Sequence, residues 1–154
     1  MMSDVVDEGF SGKRAAEIVG ITYRQLDYWA RTDLIRPSLT DATGSGSRRR
    51  YNYRNLLELK VVKNLLDAGI RLELVREVFS FIRDHLDEDI TSLNLVISGS
   101  RSVLVQSGDE LIDLLRKGQG VLNILPLGGV KEEVDTAIGE MYPEVSEVSL
   151  VVQA

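Results

Sequence analysis

The stretch SGKRAAEIVGITYRQLDYWARTDLIRP, from Ser11 to Pro37, leaves this chain few ways to fold. It reads as two short helices joined by a tight turn. Ser11 is placed to cap the first, whose Ala15, Ala16, Ile18 and Val19 make one apolar face. Gly20 stands where a helix exits through a left-handed residue, a conformation only glycine takes without a steric penalty. Thr22 and Gln25 are spaced as a capping box, in which hydroxyl and amide satisfy each other's backbone N–H groups. The second helix turns Leu26, Trp29 and Ala30 inward and leaves Tyr23, Arg24, Asp27, Tyr28 and Arg31 on its other faces. Two helices around a glycine turn, the second rich in Arg and Tyr, suit a helix-turn-helix that sets its second helix in a DNA major groove. Taken alone, the same pattern fits a helical hairpin in any globular domain.

The residues after Pro37 narrow the choice. A polar, Gly/Ser-rich segment runs from Leu39 to Ser47, then Arg48-Arg49-Arg50-Tyr51-Asn52-Tyr53, then a new helix. Three arginines after a flexible segment and before an aromatic pair suit a wing straddling a phosphate backbone, each guanidinium holding a phosphate through two parallel N–H bonds. Gly44 and Gly46 do not make a nucleotide loop, because no strand leads in and no Gly-Lys-Ser/Thr ending follows.

From here the chain resembles the MerR family of winged-helix transcription regulators. Gly20 to Trp29 lies over that family's recognition helix, Leu34, Ile35 and Pro37 over its exit, and Arg49-Arg50-Tyr51 over its wing. Leu56, Leu59 and Asp67-Ala68-Gly69-Ile70 match the two helices after the wing. The resemblance covers roughly residues 10–86. It implies palindromic promoter sites, a homodimer, DNA distortion, and RNA polymerase as a candidate partner. It also implies that Tyr51 and its preceding arginine brace the wing or touch the DNA backbone.

Charge agrees with this once it is read locally. The whole chain carries −6, which disfavours a polyphosphate partner. Residues 12–71, however, hold 12 Lys/Arg against 6 Asp/Glu, and residues 87–154 hold 4 against 12. A basic front and an acidic back suit a DNA reader with a separate regulatory module. The absence of cysteine excludes disulfides, Cys-ligated zinc and thiol chemistry. No apolar run approaches the roughly 20 residues that span a bilayer, and MMSDVVDEGF has no signal-peptide pattern, so the cytoplasm is expected.

Further along, Asn52 is placed to cap a helix from about Tyr53 to Asp67, which Gly69 ends. A helix from about Arg71 to His85 repeats Leu72, Val75, Phe79, Ile82 and Leu86 at heptad spacing, a face read as core packing. His85, the sole histidine, reads as a cap or surface residue. Then the chain departs from the family pattern of a long dimerising helix. Asp87-Glu88-Asp89 breaks the helix, and the apolar period changes to two. Leu93–Ile97 and Ser102–Gln106 flank a Gly99-Ser100 turn, and further elements are expected at 109–117 (helix), 121–125 (strand), 130–141 (helix) and 147–152 (strand). Asp27 is a second departure: the family position is usually arginine, and an aspartate there is expected to pair with Arg31.

The expected architecture is α+β. A mobile tail (1–10) precedes an all-α winged helix-turn-helix domain (11–86), a linker (87–92) and a small α+β effector or dimerisation module (93–154). The expected function is sequence-specific double-stranded DNA binding in transcription regulation, with no cofactor, metal or enzymatic activity. Thr22, Tyr23, Arg24, Gln25 and Tyr28 form the recognition-helix contacts, Arg and Gln being suited to guanine and adenine edges. Lys13, Arg14, Arg48, Arg49, Arg50 and Tyr51 form the backbone and wing contacts. The rival reading is a protein-interaction adaptor that keeps the winged-helix shape without specific DNA binding.

Overall fold

The computed structural model describes residues 9–39, 49–84, 86, 92–98, 101–106, 109 and 123–142. The expected tail at 1–8, the segment 40–48 with Arg48, His85, the break at 87–91, the Gly99-Ser100 turn, and the elements at 109–117 and 147–152 lie outside them in whole or in large part. Among the described residues the chain mixes five helices with short strands and forms two compact units, 1–63 with 132–154, and 64–131. None of the described helices is long and apolar enough to cross a membrane.

The first unit opens on strand β1 (Phe10–Ser11), helix α1 (Gly12–Val19) and helix α2 (Tyr23–Arg31). Their ends follow the sequence signals. The Arg14 N–H donates to Ser11 Oγ at 3.2 Å, and Gly20 closes α1 at φ 87°. At α2, the Gln25 N–H donates to Thr22 Oγ1 and the Thr22 N–H to Gln25 Oε1, both at 3.0 Å. Asp33 takes a left-handed φ of 62°, and the chain turns back so that the Leu34 N–H reaches the Trp29 carbonyl at 2.9 Å. Ala15, Val19, Leu26, Trp29, Leu34 and Ile35 form the buried seam of the pair.

Strand β2 (Arg50–Tyr51) pairs antiparallel with β1, placing Phe10 opposite Tyr51 and Ser11 opposite Arg50. This corrects the expectation of an all-α first domain. Phe10, expected in a mobile tail, is 2% exposed and belongs to the core. Gly9 makes the approach possible: it sits at φ +76°, and a Cβ there would stand 2.6 Å from the Tyr51 carbonyl oxygen. The ribbon comprises two residue pairs, one of which sets the buried Phe10 and Tyr51 opposite each other, and the Leu39 N–H donates to the Arg50 carbonyl at 3.2 Å beside it.

Helix α3 (Tyr53–Asp67) begins with a reciprocal cap between two asparagines. Asn52 Oδ1 accepts the Asn55 N–H at 2.8 Å, and Asn55 Oδ1 accepts the Asn52 N–H at 2.9 Å. Leu56 and Leu59 carry its apolar stripe into the core. From helix α5 (Gly128–Met141), the residues from 132 onward belong to the same unit. There Tyr53 donates its hydroxyl to Asp135, Lys60 pairs with Glu133 at 3.2 Å, and the Tyr142 ring lies 6.0 Å from that of Phe10.

The second unit holds helix α4 (Leu72–Arg83) and the strands β3 (Asn94–Ser98), β4 (Arg101–Val105) and β5 (Asn123–Pro126). Val75, Phe79 and Ile82 of the expected heptad face are buried. The order is β4-β3-β5, antiparallel throughout, with Val96 opposite both Val103 and Ile124. Leu95, Val96 and Ile97 are all buried, so both faces of the central strand β3 are covered rather than one alone.

Candidate nucleic-acid interface

Helix α2 is anchored by three buried side chains, Leu26, Trp29 and Ala30. That anchoring leaves the opposite face outward: Tyr23 and Tyr28 are 43% and 45% exposed, and Thr22, Arg24 and Gln25 are exposed beside them. Arg24 and Tyr28 are four residues apart and so share one face. The start of α1 lies against this end of α2, since a Cβ on Gly12 would stand 3.0 Å from the Tyr23 ring. Exposed Lys13 and Arg14 are therefore brought beside Tyr23.

The electrostatics of this corner favour an anion. Neither α1 nor α2 has an acidic residue in its first turn, so both helix N-termini keep their partial positive charge uncompensated from within. Arg14 keeps an ion pair with Glu17 at 3.3 Å, exposed on both sides, which is worth little and is readily exchanged. Gln25 is less available than its type suggests. Its Oε1 accepts from both the backbone N–H and the hydroxyl of Thr22, so its acceptor is already in use by the cap.

The two described arginines before Tyr51 lie in different surroundings. Arg50 is half-buried, with Nη2 3.4 Å from the Gly9 carbonyl oxygen. The Arg49 side chain is 5% exposed and donates through Nη1 to Asp27 Oδ1 at 2.6 Å. Its Nε finds no partner among the described residues. The geometry therefore sets Arg49 inside the fold rather than on a phosphate-facing surface. Tyr51, at 0% exposure, is a core residue, so its burial favours a packing role over the DNA-backbone contact expected of it.

Asp27 is held from two sides. Arg31 donates through Nε to Oδ2 at 2.9 Å, the pairing expected from sequence, and Arg49 takes the other oxygen. The Arg49 hydrogen bond, against the opposing effect of burial and with help from Arg31, holds the Asp27 carboxyl below its ordinary value. The Tyr53 hydroxyl is pushed well above its ordinary value, first by burial and then by its bond to Asp135.

Three polar residues of α3 were not anticipated. Asn55, 2% exposed, accepts the Ser38 N–H at 2.9 Å and donates to Ser38 Oγ and Glu58 Oε1, both at 2.9 Å. It ties the exit of the helix pair to α3. Glu58 is 8% exposed, and Lys60 donates to the Val19 carbonyl at the end of α1 at 3.3 Å, the favourable end for a cation. The Asn52-x-x-Asn55 spacing is a legible signal for the first of these. Glu58 and Lys60 carry none, since polar residues on a helix are ordinarily solvated.

Residues 10–82 match the MerR HTH family regulatory protein family. The chain is also 44% identical over 124 residues to uncharacterized HTH-type transcriptional regulators of Mycobacterium tuberculosis and Mycobacterium bovis. That alignment covers 80% of this chain and 55% of each relative, so the chain spans about half the length of the curated relatives it matches. A capped helix pair, a short ribbon closing behind it and a covering third helix thus meet an independent match over the same residues: residues 10–82 form a helix-turn-helix regulatory domain of the MerR type.

Proposed function

We propose that this chain is a sequence-specific double-stranded DNA-binding regulator of transcription, acting in the cytoplasm as a homodimer on an inverted repeat. The observation that carries the reading is the outward face of α2, where Tyr23, Arg24 and Tyr28 stand exposed above a fully buried Leu26 and Trp29. A rigid base under a polar, cationic face is what a helix entering a major groove requires. Arg24 suits a guanine edge, while Thr22 and Gln25 keep the helix end formed and Gln25 adds its amide at the groove. Lys13 and Arg14, at the start of α1, position the domain on the phosphate backbone. Arg48 and Arg50 supply further affinity from the wing. The unit holding β3, β4 and β5 supports dimerisation or a protein contact, RNA polymerase among the candidates.

The test is selection of sheared genomic DNA on the purified protein, sequenced after washes at low and moderate salt. A shared inverted repeat retained at moderate salt supports the reading, and its half-site spacing reports the dimer geometry. Random DNA that washes away with salt leaves only a basic surface, and refutes specific recognition.

A further inference from the structure

Arg49, just before β2, and Asp27, on α2, are 22 residues apart in sequence and lie in one compact unit. We propose that Asp27, gripped between Arg49 and Arg31, is a positioning residue for DNA recognition, and that Arg49 acts on DNA through Asp27 rather than by holding a phosphate. The inference rests on the DNA-binding reading above and assigns two of its residues a role opposite to their charge.

Three observations support it. With its side chain 5% exposed, Arg49 reaches no phosphate without leaving its place. Each oxygen of the Asp27 carboxylate is used by a different arginine, so the group is fixed in orientation as well as in charge. The grip also sits at a mechanically useful point. Asp27 follows Arg24 by three residues and Tyr23 by four, on the adjacent turn of the same helix. Arg49 precedes Arg50, which pairs in register with Ser11, the cap of α1. Helix α2 is thus tied to α1 twice, once through the Gly20 turn and once through the ribbon, Arg49 and Asp27. Two ties set the roll of α2 about its axis, and that roll decides where Arg24 and Tyr28 reach.

Simple electrostatics predicts the reverse sign. An aspartate on a DNA-facing helix repels phosphate, so its removal would tighten binding. The experiment uses the full chain, the inverted repeat recovered by the selection above, and a random duplex of equal length. Binding is measured against salt for wild type, Asp27→Asn, Arg49→Met and the double variant, at a temperature where circular dichroism shows each folded.

The expected results are roughly 10-fold weaker binding to the repeat for each single variant, and a double variant no weaker than the weaker single. Random-duplex binding and the salt slope stay at wild-type values. A merely structural role would lower the melting temperature without moving the ratio of repeat to random binding in the folded protein. Tighter binding by Asp27→Asn overturns the proposal. So does a slope flattened by about 0.9 in Arg49→Met, the mark of one lost phosphate contact, or additive losses in the double variant. If Arg49→Met does not fold, the sign of the Asp27→Asn effect decides alone. No binding by the wild-type chain overturns the functional reading and this one together, whereas wild-type binding with the wrong sign in Asp27→Asn overturns only this one.

Discussion

Asn55→Ala is the substitution whose cost follows most directly from the structure. The side chain is 2% exposed and makes four hydrogen bonds, two as acceptor from the N–H groups of Ser38 and Asn52, and two as donor to Ser38 Oγ and Glu58 Oε1. Alanine removes all four, while Asn52 Oδ1 still accepts the N–H of residue 55. Losing the cap bond to the Asn52 N–H costs about 1 kcal/mol. The part-buried Ser38 N–H adds about 1 kcal/mol, and the Glu58 carboxylate, which keeps other interactions, about 1 more. The expected loss is about 3 kcal/mol, or roughly 6–12 °C in melting temperature for a chain of this size. Trp29, the only tryptophan and 3% exposed, lies in the same unit and reports the transition by fluorescence in urea. An unchanged m-value would show that stability alone has moved. Thr22→Ala, which removes an exposed cap, serves as the reference at about 1 kcal/mol. If Asn55→Ala costs no more than Thr22→Ala, the network is incidental and the reasoning is refuted.

Arg24→Ala lowers discrimination between the selected repeat and random duplex by about 1–3 kcal/mol, whereas Lys13→Ala weakens both alike and flattens the salt slope by about 0.9. Equal losses on both duplexes for both variants would refute that division, as read in a competition titration. Because the folded Asp27 carboxyl titrates below its ordinary value of 3.8, its contribution to stability is full above that value and disappears as pH falls through the folded one. The stability difference between wild type and Asp27→Asn, followed by urea titration, therefore narrows only below that ordinary value; a constant difference would show that the carboxylate's charge is idle. The Tyr53 hydroxyl titrates above its ordinary value of 10.0, so the folded state keeps it protonated while the unfolded chain ionises. Stability falls as pH rises past that value, and Tyr53→Phe, followed by circular dichroism, removes this part of the loss.

The ends of the first two helices were legible in the sequence. Ser11, Gly20 and the Thr22–Gln25 box end their helices where their side chains and conformational freedom predict, because a cap is decided within four residues. The alternation of Leu93–Ile97 and Ser102–Gln106 likewise places β3 and β4, which pair as a hairpin. Phe10 was missed because its partner, Tyr51, is 41 residues away, and a two-residue strand has no period to read. Helix α5 begins at Gly128 rather than Val130, a difference within the ordinary uncertainty of helix starts.

The burial of the Arg49 side chain has a physical reason that composition does not carry. A run of three arginines advertises one property, charge, while the fold sets the two described members, Arg49 and Arg50, in different surroundings. In the described pair, Arg49 turns into the unit toward Asp27, and Arg50 lies on the ribbon opposite Ser11. Composition counts both as phosphate ligands, yet Arg49 stands just before β2 with its side chain 5% exposed, while Arg50 lies half-buried in the strand. Asp27 supplies the complementary clue: of its two carboxylate oxygens Arg31 on the same helix engages one, and burial favours a guanidinium over an ammonium for the other. The two anomalies, an acid where the family has a base and a surplus arginine near the ribbon, are legible separately. Only the three-dimensional pairing joins them: the Asp27 carboxylate takes one hydrogen bond from Arg31 and one from Arg49, so the acid and the arginine neutralise each other inside the unit.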